Sequence, residues 1–177
     1  MQKILVLRLG HRLFRDKRIT THVGLVARAF GANGMILSDV KDDTIKNAIN
    51  KINGNWGGKF FIKMGVPHID FLEDWIKKGN IIVHLTMYGE NLDNSLIDMI
   101  KTSNKDMLLV VGSQKVPRII YDLATYNISI SNQPHSEVAA LAIFLDRYFE
   151  GKQLSNCFEG AKFKIIPSKK DKIVQNL

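Results

Sequence analysis

Five polar residues at positions 133–137 precede a run rich in alanine and leucine, in the segment QPHSEVAALAIFLDRYFEG. The run is typical of a helix, and helix formation alone does not require a histidine beside a proline at its start. The start of a helix presents unpaired backbone N–H groups, which bind anions and other polar ligands. Beside Gln133, His135 and Ser136 these groups predict part of a pocket for a charged small molecule. The alternative for His135 is a helix-cap residue without ligand contact.

A second group of functional candidates lies near the amino terminus. We expect a strand to end at Leu9, a loop to occupy residues 10–19, and Thr20 or Thr21 to cap a helix that ends at Gly31. Arginine forms bidentate contacts with phosphate, so a loop this rich in arginine predicts a surface that faces RNA or a nucleotide. The alternative is an ion-pair network, for which Asp16 is the only local acid. The predicted RNA-binding residues are Arg8, Arg12, Arg15 and Arg18.

Positive charge is concentrated at the two ends of the 177-residue chain, whose formal net charge is +8. Seven Lys or Arg residues lie between positions 3 and 28, and six lysines follow position 151. Such surfaces favour a polyanionic partner. For the lysines of the tail, a solvated face is an equal alternative.

Short apolar runs alternate with amphipathic, helix-like runs along the chain. Six runs rich in Ile, Val and Leu indicate strands that are covered on both faces. The predicted class is therefore an α/β fold, a parallel sheet flanked by helices on both faces. Asp42 or Asp43 is expected to cap the second helix, and Gly31, Gly54 and Gly79 are expected to end helices. The predicted strands are 3–9, 34–38, 59–64, 80–86, 107–112 and 127–130.

The chain shows no repeat, low-complexity stretch or flexible linker before about residue 151. We therefore expect one domain over 1–150 and a basic extension over 151–177 that packs on or near it, either as a strand or as an arm that grasps RNA. The lone Cys157 excludes an internal disulfide, and no Cys/His metal set is present, so no metal is expected. No apolar run approaches the ~20 residues needed to cross a bilayer. These features fit a protein of the reducing cytoplasm.

Three loops that follow strands are candidates for a ligand site, because parallel sheets bind ligands at the carboxyl ends of their strands. They are HLTMYGEN, VVGSQKVP and ISNQPHSE. None has the GxxxxGK[ST] spacing, and GxGxxG is absent, which disfavours ATP binding of the Walker type and ordinary dinucleotide binding.

The last helix, over about 137–149, is apolar around much of its circumference, which is typical of a helix that is buried on more than one side. Either it is central to the core, or it packs against a second copy of the chain.

Three segments resemble the archaeal tRNA cytidine-56 ribose 2′-O-methyltransferase family, part of the SPOUT methyltransferases. They are LRLGHRLFRDKRITTHVGLVARAFGA, VVGSQKVP and NQPHSEVAALAIFLDRYFEG, in the same order and spacing as in the family. The resemblance implies a carboxyl-terminal deep trefoil knot, S-adenosylmethionine as cofactor, tRNA as substrate, and a homodimer formed through the last helix. Hydrophobic patterning does not predict the knot, since chain connections are normally unknotted.

The resemblance also assigns cofactor-binding residues, held largely through main-chain groups in the three loops. The residues implied are Leu85, Gly112, Ser113, Gln114, Lys115, Val116, Ile130, Ser131, Asn132, Gln133, Pro134, His135, Ser136 and Glu137.

Arg28 acquires a role only through the wider resemblance. The segment HVGLVAR resembles the NxGxxxR segment of related ribose methyltransferases, whose arginine is regarded as catalytic, although His22 stands here in the Asn position. Because arginine is a poor proton acceptor, we expect Arg28 to orient the ribose hydroxyl and stabilise developing negative charge, with action as the base as the lesser alternative. His22 or His11 could accept the proton.

Two other functions remain compatible with the residues themselves. A non-catalytic RNA-binding module would carry the same basic surfaces, and a SPOUT methyltransferase acting on another RNA nucleotide would carry the same loops. A nucleotide-handling enzyme of another reaction type is weakened by the missing phosphate loop.

Overall fold

Strands and helices alternate along the chain in the computed structural model, which describes residues 2–112 and 115–177. The strands are β1 Ile4–Leu9, β2 Gly34–Ser38, β3 Phe61–Val66, β4 Ile81–Asn91, β5 Met107–Gly112, β6 Tyr126–Ser129, β7 Phe163–Ile166 and β8 Ile173–Asn176. The helices are α1 Lys17–Ala29, α2 Asp43–Trp56, α3 His68–Lys77, α4 Asn94–Thr102, α5 Arg118–Leu123 and α6 Glu137–Phe149, followed by a 3-10 turn, Lys152–Ser155.

The first six strands form one sheet in the order β3-β2-β1-β5-β4-β6, and every neighbouring pair is parallel. One face of the sheet packs on α1, α2, α4 and α6, and the other packs on α3 and α5. All six residues of β1 are buried, as expected for a central strand that is covered on both faces. The predicted parallel sheet between two helical layers is confirmed.

Two helix boundaries differ from the predicted ones. Helix α1 begins at Lys17, with Asp16 as its N-cap residue, so Thr20 and Thr21 lie inside the helix. Thr20 is buried and its hydroxyl contacts the ring of His11, so it does not cap the helix. Helix α2 continues past Gly54 and ends at Gly57, whose positive φ of 77° suits a glycine. Its predicted Asp42 cap is confirmed, since the carboxylate accepts a hydrogen bond from the amide of Thr44.

Strand β4 makes an unusual pairing with the edge strand β6. Leu85 pairs with Ile128, and after a bulge Glu90 pairs with Ile128 again. A Cβ atom on Gly89 would lie 2.4 Å from the carbonyl oxygen of Asn127, so the intervening chain is in close contact with the backbone of β6. The second half of β4 therefore passes closely over β6, and β4 extends beyond the predicted end at residue 86.

The carboxyl-terminal segment contacts the end of α2. The amide of Lys162 donates to the carbonyl of Asn55, and the rings of Trp56 and Phe163 lie 5.9 Å apart. Strands β7 and β8 form an antiparallel hairpin. Residues of the predicted extension thus lie against the α/β unit.

Candidate cofactor cleft and its surroundings

A cleft of about 850 Å³ opens at the carboxyl edge of the sheet, between the ends of β4 and β5 and the start of α6. Its walls combine loop backbone with apolar, aromatic and charged side chains. The lining residues are His84, Leu85, Thr86, Met87, Tyr88, Gly112, Lys115, Val116, Arg118, Tyr121, His135, Glu137 and Ala140.

Six of the predicted cofactor-binding residues lie in the wall of this cleft, and they come from all three predicted loops. They are Leu85, Gly112, Lys115, Val116, His135 and Glu137. Ser113 and Gln114 lie outside the described residues.

The other predicted cofactor residues lie beside the cleft. Ile130 lines a smaller cavity that also contains Leu92 and Arg147. Ser131, Asn132, Gln133, Pro134 and Ser136 are exposed.

Two hydrogen bonds hold the exposed segment 131–136 in position. The side-chain amide of Asn132 donates to the carbonyl of Met87 at 2.8 Å, which ties the third loop to the first. The hydroxyl of Ser136 accepts from the amide of Val138 and caps α6. His135 is exposed, and its Nδ1 lies 2.7 Å from the carbonyl oxygen of Gln133. The segment therefore positions the start of α6 at the cleft.

Sequence reasoning placed His84 in the first candidate loop, HLTMYGEN, but gave it no role of its own in the cleft wall. The imidazole of His84 is buried, and its Nδ1 lies 2.8 Å from Oδ1 of Asn127. Because the amide nitrogen of Asn127 donates to the carbonyl of Tyr121, its oxygen faces His84, and Nδ1 must carry the proton. Burial lowers the pKa of His84, and the hydrogen bond to Asn127 only partly opposes this. The neutral imidazole therefore belongs to the wall of the cleft.

Arg8 lies in the interior of the protein rather than on its surface. Its guanidinium is fully buried and donates to Glu137 at 2.7 Å, which joins the centre of the sheet to the start of α6. Burial lowers the pKa of Arg8, although the charge of Glu137 opposes the shift. The Nε and Nη1 atoms have no hydrogen-bond partner among the described residues. An RNA contact was predicted for Arg8, but its charge serves here to position the cleft residue Glu137.

Three other predicted RNA-binding arginines belong to the arginine turn, defined here as residues 10–18. Arg12 forms a two-pronged ion pair with Asp16, at 2.8 and 2.9 Å. This hydrogen bonding lowers the pKa of Asp16 to about 2, despite the opposing effect of burial. Arg15 and Arg18 are exposed, and the side chain of Phe14, the residue before Arg15, is 99% exposed. The arginine turn is thus closed by Arg12 and presents Arg15 and Arg18 to solvent.

The two histidines predicted as helpers lie in different environments. His11 is buried, with Nδ1 2.9 Å from the Thr20 hydroxyl and Nε2 3.1 Å from Asp42. Burial would raise the pKa of Asp42, but hydrogen bonds from Thr44 and His11 outweigh it and lower that pKa. His22 is exposed on α1. Neither histidine lines the cleft.

Arg28 lies near the end of α1, which runs from the carboxyl edge of the sheet back towards the amino edge. Its guanidinium donates to Oδ1 of Asn53 at 2.9 Å and to the carbonyls of Trp56 and Gly57 at 3.1 and 2.6 Å. It also lies over the ring of Phe158, 4.3 Å from its centroid. Burial lowers the pKa of this group. Within one chain, the structure does not bring Arg28 to the cleft.

Neither a metal centre nor a membrane span is evident in residues 2–112 and 115–177. No group of three or more His, Cys, Asp or Glu side chains in this part of the chain is placed to hold a metal ion. None of its helices is both long and apolar enough to cross a bilayer.

Comparison with known proteins identifies the family. A family model described as tRNA ribose 2′-O-methyltransferase, aTrm56, matches residues 56–175. A tRNA (cytidine(56)-2′-O)-methyltransferase of Staphylothermus marinus is 54% identical over 175 residues, 99% of this chain and 94% of that protein. The chain belongs to this family. The family member of the same name from Methanocaldococcus jannaschii is 51% identical, over 96% of this chain and 94% of that protein. The resemblance carried by the three sequence segments is confirmed.

Solved structures share the fold of this family member at much lower sequence identity. The A. aeolicus TrmH/SpoU tRNA modifying enzyme matches with a TM-score of 0.61 and 15% identity, over 86% of this chain and 77% of that one. The SpoU methyltransferase AviRb from Streptomyces viridochromogenes, solved in complex with AdoMet, matches with a TM-score of 0.56 and 16% identity, over 84% and 57%. The predicted α/β architecture of the SPOUT type is therefore confirmed.

Proposed function

We propose that the protein transfers the methyl group of S-adenosylmethionine to the 2′-hydroxyl of cytidine 56 in tRNA. The observation that carries this proposal is the sequence identity of 54% and 51%, over nearly the full chain, with relatives that bear this name. The cleft supports it, because three separate loops that the family resemblance assigns to the cofactor meet there.

The residues of the cleft fit a nucleoside cofactor. A volume of about 850 Å³ suits a small molecule of this size. Leu85, Val116 and Ala140 offer apolar surface, while the backbone near Gly112 and the start of α6 offers amides for polar groups. When bound, S-adenosylmethionine supplies an electrophilic methyl group on a sulfonium. The protein contributes binding, alignment of the ribose hydroxyl and relief of its proton.

The arginine turn supports tRNA as the substrate. Arg15, in the loop that leaves β1, and Arg18, in the first turn of α1, are exposed to solvent at the same edge of the sheet as the cleft. The ion pair between Arg12 and Asp16 limits the freedom of the turn, so less entropy is lost when RNA orders it. A contact of this kind positions a folded RNA without reading its bases. The choice of cytidine 56 rests on the family.

We further propose a homodimer through α6 and a trefoil knot around β6. Ala139, Ile143 and Arg147 are exposed at four-residue spacing on α6, and the large apolar side chain of Ile143 is 44% exposed, which supports a partner surface there. The close passage of the second half of β4 over β6 supports a threaded strand. We propose residues 1–150 as the catalytic domain, 151–177 as its extension, and the cytoplasm as the site of action. Light scattering of the purified protein tests the dimer.

Labelled methyl transfer tests the proposed function. The protein is incubated with unmodified tRNA and methyl-labelled S-adenosylmethionine, and nuclease digestion then locates the label. We expect one labelled ribose at position 56. Tight tRNA binding without any transfer would favour a non-catalytic RNA-binding module. Label at another nucleotide would favour a related methyltransferase of different specificity.

A further inference from the structure

A second, smaller cavity adjoins the cofactor cleft along the carboxyl edge of the sheet. It has a volume of about 180 Å³ and lies where β1 and β2 end. Gly112, Lys115 and Val116 line both cavities, so the loop after β5 forms a shared wall. The small cavity also receives Gly10, the first residue of the arginine turn. It therefore lies between the proposed cofactor site and the proposed RNA surface.

An Asp–His pair lies in the wall of this small cavity. Nδ1 of His68, the first residue of α3, is 2.6 Å from Oδ2 of Asp39, which follows β2. A carboxylate only accepts hydrogen bonds, so Nδ1 carries a proton, and in the neutral ring Nε2 is the nitrogen with the lone pair. The side chain of His68 is 27% exposed, so a ligand can reach it. This is the arrangement of a general base held in one tautomer by an acidic partner.

The backbone at Asp39 is held in a costly conformation. Its φ is 57°, a left-handed value that is uncommon outside glycine. Two hydrogen bonds fix the segment, one from the Asp39 amide to the carbonyl of Val66 and one from the Gly65 amide to the carbonyl of Val40. Strain of this kind persists where the surrounding structure enforces it, often at functional sites. Here it directs the Asp39 carboxylate towards His68.

An unpartnered hydroxyl lies at the same place. Oγ of Ser38 is buried and has no hydrogen-bond partner among the described residues, and Ser38 lines the small cavity. Buried polar groups are nearly always paired, so this hydroxyl indicates a missing polar partner. A sugar hydroxyl beside Ser38 and His68 would supply one. This observation is independent of the Asp–His pair.

We propose that His68 is the general base of methyl transfer and that Asp39 is its positioning residue. This inference rests on the proposed function. The ribose 2′-oxygen forms a bond to the methyl carbon, while the carbon–sulfur bond breaks and its electron pair passes to sulfur, leaving a neutral thioether. The hydroxyl proton passes to Nε2 of His68. The positive charge of the sulfonium thus ends on the imidazolium, which then releases its proton to water.

The surroundings of His68 favour it over the earlier candidates. Asp39 from the end of β2 and Lys115 from the loop after β5 are the titratable neighbours described in the cavity wall, and Asp70 is the acid in the first turn of α3. Both ring nitrogens of His11 are already engaged, whereas His68, which lines the small cavity, is paired through Nδ1 alone among the described residues. Arg28 is held at the other edge of the sheet by Asn53 and two carbonyls.

Single-turnover methyl transfer with saturating tRNA and S-adenosylmethionine tests the proposal in the wild-type protein, His68→Asn, Asp39→Asn and the control Asp70→Asn. In the wild type we expect the logarithm of the rate to rise with pH at a slope of one and then to level off, as for a reaction that needs one deprotonated base. His68→Asn should lower the rate about 100-fold or more, the usual contribution of a general base, and remove the slope. Asp39→Asn should give a smaller loss, and Asp70→Asn should match the wild type.

Three further measurements separate catalysis from folding. Calorimetry with S-adenosylhomocysteine, filter binding of tRNA and thermal unfolding should be unchanged in His68→Asn. Nitrogen-15 NMR of the free protein should show the neutral His68 ring protonated at Nδ1. A His68→Asn variant that keeps its rate within threefold and its pH slope overturns the proposal, as does equal loss of rate, binding and stability. Failure of the wild-type protein to methylate tRNA would instead overturn the proposed function.

Discussion

At the residue scale, Arg28 makes structural contacts within its own chain, and its catalytic role stays a prediction. Its guanidinium donates hydrogen bonds to three acceptors and lies over the ring of Phe158. These contacts join α1 to the end of α2 and to the terminal segment. We expect Arg28→Ala to lower the free energy of unfolding by about 1.5–3 kcal/mol, the range for hydrogen bonds to a charged group. Urea denaturation measures this, with the exposed Lys46→Ala on α2 as the control.

The catalytic role predicted for Arg28 from the sequence leads to a different result. In that case Arg28→Ala would unfold at the same urea concentration as the wild-type protein, bind the cofactor equally well, and fail only in methyl transfer.

His84 makes a pH-dependent contribution to stability. Burial lowers its pKa in the folded protein below the value of 6.5 that it takes in the unfolded chain. Between pH 6.5 and the lower folded pKa, the unfolded chain therefore binds a proton at His84 and the folded protein does not. The contribution of neutral His84 to the free energy of unfolding is complete above pH 6.5 and is lost as the pH falls towards the folded pKa. The slope of this loss cannot exceed about 1.4 kcal/mol per pH unit. Urea denaturation between pH 7.5 and 5.5 should show a decline that His84→Gln reduces; an equal decline in both proteins contradicts it.

The sequence predicted the position of the cleft, but it predicted only some of the residues that line it. The family resemblance assigned Leu85, Gly112 and Glu137 to the cofactor, and each lies in a loop that the sequence places at the carboxyl end of a strand. His84 lies in the first of these loops but was given no role of its own. Tyr121 carries no such signal, since it lies inside α5 and reaches the cleft only through packing. His68 likewise becomes significant only once α3 is placed against the end of β2.

At the element scale, the arginine turn contains Arg12, which forms an ion pair with Asp16, and two exposed arginines, Arg15 and Arg18. We expect Arg15→Ala and Arg18→Ala each to weaken tRNA binding and to reduce the slope of log affinity against log salt by about one. Arg12→Ala should in addition raise the pKa of Asp16 from about 2, because its main hydrogen-bond donor is removed. Filter binding across a salt series measures the slopes, with Lys77→Ala on α3 as the control. Slopes that match the wild type for both variants would remove the turn from the RNA interface.

Element boundaries were predictable where local chemistry fixes them. The Asp42 cap follows from an acid that precedes a helical run, and β2 and β5 were predicted residue for residue. The start of α1 was not, because Asp16 and Arg12 close the turn four residues before Thr20. The extension of β4 to Asn91 depends on contact with β6, which local sequence does not encode.

At the scale of the whole molecule, the passage of the second half of β4 across β6 sets the topology around the cleft. A methyl group at Gly89 would lie 2.4 Å from the backbone oxygen of Asn127, and neither backbone can yield without breaking the pairing. We expect Gly89→Ala to cost about 4 kcal/mol or more, or to prevent folding. Gly54→Ala is the matched control, because a methyl group there meets nothing within 4 Å and should stabilise α2 by up to about 1 kcal/mol. Equal stability of the two variants in urea denaturation would contradict the close crossing.

The central claim is that this molecule methylates one ribose hydroxyl of tRNA from a cofactor held at the loops of β4, β5 and β6. The most direct measurement compares two synthetic tRNAs that differ only in carrying cytidine or 2′-deoxycytidine at position 56, with mass spectrometry of the digested products. We predict one methyl group on the ribose of cytidine 56 and none on the deoxy substrate. Methylation of both tRNAs, or of neither, would contradict the account.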